Sequence, residues 1–514
     1  MSENTIAAAE AALNSNKPKI YLPTDGRSIS EFAAQLGEHL RKAEAELFIR
    51  GMKVVEARPP ERNEAAKICE VDPERFRTWV EDYVVTMQKK RGDRGDYELI
   101  TSMSRDHAAA VLKSPQFHKC LRPLVYIFAC GIPAYGPDGS VRLLKRGYDA
   151  GEMAYVCGPD DYADEVKSVA EAKSILLDIF SEFQFDDDGR SLSVAVAAML
   201  TPFTRLLLRP GDNFPAFAYT ANDVGAGKTL CAKIATITAF GSAKIESPPE
   251  SSEEAQKKLA TATLEGAGYI LFDNVSGKVV WPALEAYCTS GETSDRLLGH
   301  NKSVTGVPGV IYLTGNEMKV RPDLFSRILW VELFMPDPDP SSRKFRRDLA
   351  EFDIKAMRRR LLAACHRLTM AWVEAGRPVR GSQSSRFKEW AKVVGSILCF
   401  HDFVDPTTRP ELKHGEMDEA DQAREALLAA VPMRKHTLTE LLDVFKEAGA
   451  FEEKLRNWEG ESTDPSVSRK IRAEMGATLS RMRRRLYGQR MLHREGPDKK
   501  RVFWVEEVRV EVPV

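Results

Sequence analysis

Three short apolar runs in the middle of the chain, each ending in polar or glycine residues, predict buried β-strands. They are PAFAYT at 215–220, GAGYILFDN at 266–274 and GVIYLTGN at 309–316. The first run leads into CAKIATITAF at 231–240, which predicts a helix. RPDLFSRILWVEL at 321–333 predicts a short helix and then another strand. Strands separated by helical connectors are typical of a parallel α/β sheet.

The pattern on either side of these strands predicts further segments. Residues 1–27 are polar and predict a loose N-terminal segment, while 28–165 mix helical periodicity with short strands, which predicts a mixed α+β domain. The predicted α/β core occupies 166–335 and opens with helical sequence. PDPDPSS breaks the pattern at the start of a helical lid and connector, 336–433. The last segment, 434–514, has two helical stretches and a predicted hairpin, which together suggest a winged helix.

The sequence between the first strand and its helix, ANDVGAGKTL at 221–230, has the layout of a phosphate-binding P-loop. Its glycines allow a tight turn whose backbone N–H groups point at phosphate oxygens, and the helix N-terminus adds partial positive charge. Lys228 can reach the β- and γ-phosphates, and the Thr229 hydroxyl can ligate Mg²⁺. Asn222 replaces the usual first glycine, and asparagine tolerates left-handed backbone better than most residues. We therefore predict that ATP is bound by Val224, Gly225, Ala226, Gly227, Lys228, Thr229 and Leu230.

An acidic residue ends the second predicted strand, as a P-loop ATPase requires. Asp273 would hold Mg²⁺ through water opposite Thr229, although an apolar strand that ends in Asp is ordinary by itself. Asn274 stands where many such ATPases have the acid that activates water, and an amide cannot accept a proton at neutral pH. Either the base comes from elsewhere, with Glu253 or Glu254 as candidates, or hydrolysis is slow.

Two further polar residues complete the predicted catalytic set. Asn316 can orient the lytic water against the γ-phosphate, or it belongs to a simple turn that Gly315-Asn316 would suit. Arg327 is predicted on the short helix before the last strand. The predicted catalytic residues are Asp273, Asn274, Asn316, Arg327 and Glu254, and the predicted metal ligands are Thr229 and Asp273.

In this order, Lys228 with Thr229, Asp273, Asn316 and Arg327 resemble the Walker A, Walker B, sensor 1 and arginine-finger residues of an AAA+ ATPase. The details look closest to superfamily 3-like helicase/primase proteins of phages, plasmids and integrative mobile elements. The strings that carry this resemblance are DGSVRLLKRGYD (138–149), FDNV (272–275), RLLG (296–299), TGN (314–316) and RFKEW (386–390). The resemblance implies an AAA+ P-loop core, a hexameric ring that hydrolyses ATP at subunit interfaces, and an N-terminal collar or docking domain.

The segment ETSDRLLGHNKSVTGVPG at 292–309 predicts a hairpin whose tip carries His300 and Lys302. In viral superfamily 3 helicases, a hairpin at this point lines the central channel, and its Lys-His tip grips the DNA backbone. The resemblance therefore implies that His300 and Lys302 bind single-stranded DNA, although the tip here is His-Asn-Lys. The alternative is a solvated turn that happens to hold both residues.

The C-terminal segment carries a second predicted DNA contact. Residues 469–501 contain twelve basic and only three acidic residues in a chain whose net charge is −1. Arg483, Arg484 and Arg485 form the densest part of this cluster, on a predicted helix that precedes the hairpin. Clustered arginine on a helix and wing suits phosphate contacts with duplex or forked DNA. A solvated basic helix, or one that pairs with an acidic protein, is the alternative.

Composition limits the other possibilities. At 514 residues the chain has room for two to four domains, and its near-zero net charge means that any basic surface is local. The eight cysteines contain no Cys-x-x-Cys pair, which argues against zinc and a disulfide framework and suits a cytoplasmic protein. The N-terminus lacks a secretory pattern, and the longest apolar stretch is too short for a bilayer, so we expect no membrane contact.

Three functions remain open at this stage. The first is an ATP-driven, ring-forming DNA helicase or translocase of a mobile genetic element, which the hairpin tip and Arg327 favour. The second is an ATP-gated loader, assembly or defence factor that binds DNA without unwinding it. The third is an oligomeric scaffold that hydrolyses ATP slowly, which Asn222 and Asn274 favour.

Overall fold

The structure of the protein is a computed structural model in which the chain forms two compact units. One unit comprises Met1–Lys319 and Asp323–Lys413, and the other comprises Val320–Pro322 and His414–Val514. The structure describes residues 17–23, 28–61, 64–92, 95–185, 187–209, 211–222, 225–289, 293–296, 303–316, 318–334, 349–382, 386–408, 427–449, 451, 455–460, 463–482, 486–487, 490–495 and 502–507.

Small sheets and short helices fill the N-terminal part of the first unit. The strands are β1 (Lys19–Tyr21), β2 (Leu47–Arg50), β3 (Lys53–Arg58), β4 (Lys67–Glu70), β5 (Val85–Gly92), β6 (Gly95–Ile100), β7 (Arg122–Pro123), β8 (Tyr126–Phe128), β9 (Pro133–Tyr135), β10 (Val141–Leu143), β11 (Gly147–Asp149) and β12 (Ala154–Val156). The helices are α1 (Ile29–Lys42), α2 (Pro73–Tyr83), α3 (Arg105–Leu112) and α4 (Pro115–His118). This part is the mixture of helix and strand that the sequence predicts.

Two antiparallel strand pairs in this part turn on residues that suit tight reversals. β2 and β3 pair antiparallel around Gly51, whose φ of 60° is left-handed. β9 and β10 also pair antiparallel, and the Asp138 carboxylate between them accepts hydrogen bonds from the backbone and hydroxyl of Ser140. Such a side-chain turn is the usual way in which Asp reverses a chain.

The middle of the first unit alternates strands and helices. The strands are β13 (Ala216–Ala221), β14 (Tyr269–Phe272), β15 (Lys278–Val279), β16 (Thr293–Arg296), β17 (Ser303–Gly306), β18 (Val310–Thr314), β19 (Lys319–Val320) and β20 (Ile328–Leu333). The helices are α5 (Val169–Ile179), α6 (Arg190–Phe203), α7 (Lys228–Phe240), α8 (Ser252–Leu264), α9 (Pro282–Thr289) and α10 (Pro322–Phe325).

The predicted parallel sheet is confirmed, and its strand order is β14-β18-β13-β20. All three pairings are parallel, and β13 pairs with β20 over its full length, from Ala216 opposite Ile328 to Ala221 opposite Leu333. β14 and β18 are buried at every position. Continuous apolar sequence is typical of parallel strands that are covered on both faces. Because the strands are parallel, the segments that follow β13, β14 and β18 meet at the carboxyl ends of the strands.

Helices pack tightly around this sheet. α6 is buried almost all round, which explains why SVAVAAML shows no polar face. The remaining helical elements of the unit are α11 (Glu351–Glu374), α12 (Lys388–Trp390), a π-helical turn (Ala391–Gly395) and α13 (Ser396–Phe400). Arg358 of α11 donates to the carbonyls of Ile237 and Thr238 at the C-terminal end of α7, at 3.0 and 3.1 Å. A cation at this end satisfies free carbonyls and complements the helix dipole.

The second unit has its own core. It contains β21 (His436–Thr437), α14 (Leu438–Glu447), α15 (Pro465–Met482), β22 (Leu486–Tyr487), β23 (Arg490–Glu495) and β24 (Val502–Glu507). The predicted hairpin is confirmed as β23 and β24, which belong to a sheet of order β21-β24-β23-β22. The predicted helix that precedes the hairpin corresponds to α15, which ends at Met482, and Leu486–Tyr487 pair with β23 as strand. Leu441, Phe445 and Trp458 are fully buried in this core.

The described helices contain no segment that is long and apolar enough to span a membrane.

Candidate functional site

The candidate site begins at the N-terminus of α7, in the loop that follows β13. Gly225 and Gly227 have φ angles of 79° and 86°, which is left-handed backbone that glycine adopts without strain. Gly227 is the N-cap of α7, and no side chain caps this helix end. A Cβ at Gly227 would also lie 3.0 Å from the ring of Phe183. The start of α7 thus combines backbone N–H donors with the positive end of the helix dipole, which is the arrangement that favours phosphate.

Two predicted metal ligands meet directly beside this helix end. The Thr229 hydroxyl donates a hydrogen bond of 2.6 Å to Oδ1 of Asp273. Thr229 lies in the first turn of α7, and Asp273 follows the last residue of β14. The fold thus brings together an alcohol and a carboxylate that are 44 residues apart in the sequence. Hydroxyl and carboxylate oxygens are the ligands that Mg²⁺ prefers.

A residue that the sequence analysis did not single out, Thr314, lies in the same cluster. Its hydroxyl donates to Oδ1 of Asp273 in a very short hydrogen bond and accepts from the backbone N–H of Asn274 at 3.3 Å. Thr314 is the last residue of β18 and is almost completely buried. The available signal was a polar residue at the end of an otherwise apolar strand. Asp273 is therefore oriented by two hydroxyls, one on each neighbouring element.

The backbone explains two residues beside this cluster. Asn274 has a φ of 59°, a left-handed conformation that asparagine tolerates and glutamate disfavours. A Cβ at Gly315 would overlap the carbonyl oxygen of Val275, so that position requires glycine. The close approach of these segments brings the chain after β18 against the chain after β14.

Asn316 lies at the same carboxyl ends of the strands, two residues beyond Thr314. Its side chain is half-buried, and its Oδ1 is shielded from solvent without a hydrogen-bond partner. A buried amide oxygen without a partner is unusual in a folded protein, and it is typical of groups that serve a ligand or bound water.

Arg327 lies at the opposite, amino-terminal ends of the strands, just before β20 begins. Its carbonyl accepts from the N–H of Ala216 at 3.0 Å, so it stands beside the start of β13, while the loop to α7 follows the end of that strand. β13 has six residues, and five steps of about 3.3 Å separate its ends by about 17 Å. Arg327 also lies after α10 rather than on it, because α10 ends at Phe325.

Within its own chain, the Arg327 side chain is held near Asp323. Its Nη1 donates to the Asp323 carbonyl oxygen and lies 3.9 Å from the carboxylate, while its Nε is buried without a partner. Arg386 Nη2 lies 3.8 Å from the same carboxylate oxygen. The Asp323 side chain is 73% exposed. The Arg327 side chain itself is only 14% exposed, so it reaches another molecule only after leaving the Asp323 carbonyl.

The candidate base Glu254 is already engaged in local contacts. It lies in the first turn of α8, where its carboxylate accepts from the N–H of Glu250 at 2.8 Å and lies 3.3 Å from Lys258 Nζ. The backbone hydrogen bond and the lysine lower the pKa of Glu254. Glu253 lies 3.7 Å from Lys257. Among the described residues, no hydrogen bond or ion pair joins either glutamate to Thr229 or Asp273.

Some predicted residues lie outside the described part of the chain. The strands of the predicted hairpin are present, because β16 and β17 pair antiparallel from Thr293 opposite Gly306 to Arg296 opposite Ser303. The tip residues His300 and Lys302 are outside the described residues, as are Val224 and the arginines at 483, 484 and 485.

The residues present fit a nucleotide with Mg²⁺. The uncapped start of α7 and its two left-handed glycines suit phosphate oxygens, and Thr229 with Asp273 supplies oxygen ligands for a hard cation. Lys228 is the first residue of α7, where its positive charge complements the same anion. The unsatisfied Oδ1 of Asn316 adds an acceptor on the neighbouring strand end.

No protein-family model and no curated protein matches the sequence. Among solved structures, the apo C-terminal region of NrS-1 is similar at 12% identity and a TM-score of 0.37, covering 88% of this chain and 96% of that chain. Cch, an active helicase of SCCmec type IV, is similar at 9% identity and a TM-score of 0.28, covering 88% of this chain and 87% of that chain. JCV helicase is similar at 16% identity and a TM-score of 0.19, covering 43% of this chain and 66% of that chain. At these scores the similarities carry no argument about function.

Proposed function

We propose that the protein is an ATP-dependent DNA helicase or translocase of a mobile genetic element, which assembles into a ring and hydrolyses ATP between subunits. The observation that carries this proposal is the contact between Thr229 and Asp273 at the uncapped N-terminus of α7. A P-loop threonine and a carboxylate at the end of a nearby strand are the pair that holds Mg²⁺ in P-loop ATPases. The winged-helix and AAA+ assignments belong to the same proposal.

Each residue of the site has a distinct role in this proposal. The backbone of Gly225–Gly227 and the start of α7 bind the phosphates, and Lys228 neutralises the charge on the outer ones. Thr229 and Asp273 hold Mg²⁺, which neutralises charge that develops as the phosphoryl group is transferred. Thr314 fixes the orientation of Asp273. Asn316 positions the attacking water through its unsatisfied Oδ1.

Ring assembly is supported by the position of Arg327. The sheet separates it from the nucleotide site of its own chain by about the length of β13, so it is unsuited to bind phosphates there. In this proposal, Arg327 leaves its contact with the Asp323 carbonyl on assembly and binds the γ-phosphate held by a second copy. An arginine supplied in trans accelerates related phosphoryl transfers by about 10³–10⁵.

DNA contact is proposed at two places. The hairpin β16–β17 directly precedes β18, the strand that leads to Asn316, so movement of that strand on hydrolysis would be transmitted to the hairpin tip. His300 and Lys302 at this tip would hold the phosphates of a single strand. Arg483, Arg484 and Arg485 would bind duplex or forked DNA through phosphate contacts.

The decisive experiment measures strand displacement on forked DNA by the full-length protein with ATP. The variant His300→Ala with Lys302→Ala should keep ATP binding, assembly and basal ATPase activity, and should lose both unwinding and stimulation by single-stranded DNA. The matched control is Arg483→Gln with Arg484→Gln and Arg485→Gln, which should weaken DNA binding and reduce its salt dependence without changing ATPase activity in the absence of DNA.

The outcomes separate the helicase proposal from its parts. If the assembled wild type hydrolyses ATP but neither displaces a strand nor responds to DNA, the helicase proposal is wrong. If the wild type and the hairpin variant unwind equally well, only the channel role of His300 and Lys302 is wrong. An unchanged salt dependence in the arginine variant would assign that cluster to a protein partner.

A slowly hydrolysing scaffold or loader is the second candidate. This candidate is favoured because Asn274 cannot act as a base. The Glu254 carboxylate, the alternative base, already accepts a hydrogen bond from the N–H of Glu250 and pairs with Lys258. Single-turnover measurements on the assembled protein distinguish the two. Turnover that is too slow to support unwinding, together with tight ATP-dependent assembly, would favour the scaffold.

A further inference from the structure

Arg205 is a charged side chain in the interior of the first unit that lacks a bonding partner. It follows α6 and is only 6% exposed. Its Nε, Nη1 and Nη2 are all shielded from solvent and form no hydrogen bond with any described residue. Among the described residues, no carboxylate forms an ion pair with it, and Asp212 influences it only at longer range. The Asp212 carboxylate instead accepts from the N–H of Arg209 at 2.8 Å.

This arrangement is costly without a further partner. Burial lowers the pKa of Arg205, but guanidinium remains protonated in proteins. Two aromatic rings offset part of the cost, because the guanidinium carbon lies 5.2 Å from the centre of the Phe214 ring and 5.8 Å from that of Tyr126. A ring face does not replace hydrogen-bond acceptors for five N–H groups, and the Tyr126 hydroxyl forms no hydrogen bond with Arg205. A buried charge is normally paired, and the described residues supply no acceptor to this one, which favours a bound acceptor from outside them.

A cavity of about 50 Å³ lies beside this side chain. Arg205 is the one charged residue among the described residues that line it. The other walls include the turn Gly266–Gly268 before β14, and Val307 with Pro308 before β18. The volume exceeds the roughly 10–15 Å³ that one water requires. The cavity therefore has space for a small ion together with water. Because the guanidinium nitrogens present almost no accessible surface, the Arg205 side chain must turn toward the cavity to contact such an ion.

We propose that this cavity binds one small inorganic anion, of halide size, on the guanidinium of Arg205. The anion supplies the acceptor that the chain lacks, and the aromatic rings hold the guanidinium in place. The anion site lies at the amino-terminal ends of β14 and β18, whereas the proposed nucleotide site lies at their carboxyl ends. It also adjoins the segment that joins β17 to β18. A bound anion would therefore stabilise the base of the β16–β17 hairpin, independently of nucleotide.

The test is thermal unfolding of the full-length protein at constant ionic strength, with chloride replacing glutamate stepwise. Chloride is chosen because phosphate would also bind at a P-loop. The unfolding midpoint of the wild type should rise with chloride and reach a plateau, because a saturable site stabilises the folded state by mass action. Arg205→Met, which keeps the volume of the side chain but removes its charge, should abolish this dependence. Arg209→Met is the matched control on an exposed arginine nearby and should retain it.

Direct binding provides a second measurement. Equilibrium dialysis with radioactive chloride should find one saturable ion per wild-type chain, and the Arg205→Lys variant, which preserves charge, should bind it more weakly. If Arg205→Met does not fold, the comparison of wild type with Arg205→Lys and Arg209→Met decides. The proposal is overturned if the wild type shows no saturable chloride dependence, or if the Arg205 variants keep that dependence unchanged.

Discussion

The hydroxyl of Thr229 donates a hydrogen bond of 2.6 Å to Asp273, which ties the first turn of α7 to the end of β14. This contact connects the proposed phosphate-binding loop to the proposed metal-binding strand within one chain. Thr314 strengthens it from the strand between β13 and β14. The three residues together form the part of the candidate site that is defined most completely by side-chain contacts.

Removal of the Thr229 hydroxyl should therefore impair hydrolysis more than folding. Thr229→Val keeps the shape of the side chain but loses a metal ligand, so we expect ATPase activity to fall by about 10²-fold or more. Thr229→Ser is the control and should retain most activity, because it retains the hydroxyl. Steady-state ATPase measurements over a range of Mg²⁺ concentrations check this. Equal activity in the Val and Ser variants would contradict a metal-binding role.

The Lys228 side chain should be required for nucleotide binding. Lys228→Ala removes the charge at the first position of α7, so tight ATP binding or turnover should be lost. Binding of a fluorescent ATP analogue measures this directly. Normal binding and hydrolysis by the variant would refute the P-loop assignment.

Arg327 should act on the nucleotide of a neighbouring subunit. Arg327→Ala should bind ATP normally and lose ATPase activity by about 10³-fold or more. Mixing this variant with Lys228→Ala should restore some activity, because hybrid interfaces contain one intact P-loop and one intact arginine. Arg321→Ala is the comparison, since Arg321 is exposed and is the alternative finger. Activity that neither depends on protein concentration nor responds to the Arg327 change would exclude the role in trans.

Asn316 allows activity to be separated from stability. Its Oδ1 makes no hydrogen bond with the described residues, so Asn316→Ala should leave the free energy of unfolding nearly unchanged. ATPase activity should nevertheless fall by about 10²-fold, as it does when a group that orients or stabilises the reacting atoms is removed. Chemical denaturation and ATPase assays on the same preparation test both parts. A large loss of stability with unchanged specific activity would indicate a structural role.

Acid should destabilise the protein through His366. Burial lowers the pKa of this histidine to about 4, and its ring contacts Tyr162 edge to face with centroids 6.2 Å apart. The unfolded chain takes up this proton near pH 6.5, so between pH 6.5 and 4 the unfolded state binds more protons and stability falls as pH falls. The expected loss at pH 5 is about 2 kcal/mol.

The measurement for His366 is the free energy of unfolding from pH 7 to 5. His366→Phe retains a ring of similar size and should remove most of this slope, whereas His39→Phe on α1 should not. His401, whose pKa burial also lowers, would account for a slope that persists in the His366 variant. A wild-type stability that is flat over this interval would contradict the expectation.

Much of the central fold was predictable from the sequence. The apolar runs at 215–220, 266–274 and 309–316 became β13, β14 and β18, because continuous apolar sequence bounded by glycine and polar residues suits strands covered on both faces. The hairpin β23–β24 was likewise predicted, from turn residues between two strands. Prediction failed where local preference was weak: Leu486–Tyr487 form strand β22 rather than helix, since pairing with β23 outweighs helix propensity.

The sequence by itself determined the elements and the chemistry of the loop after β13, because glycine conformation and strand periodicity are local properties. Only the tertiary structure decided which residues meet. The strand order β14-β18-β13-β20 brings Thr314 to Asp273, and no spacing in the sequence reports that contact. The parallel direction of β13 and β20 puts Arg327 beside the start of β13, whereas Thr229 follows the end of β13. The two residues are therefore separated by about the length of that strand. The isolation of Arg205 is likewise a property of packing, since it depends on which acceptors fail to come within reach.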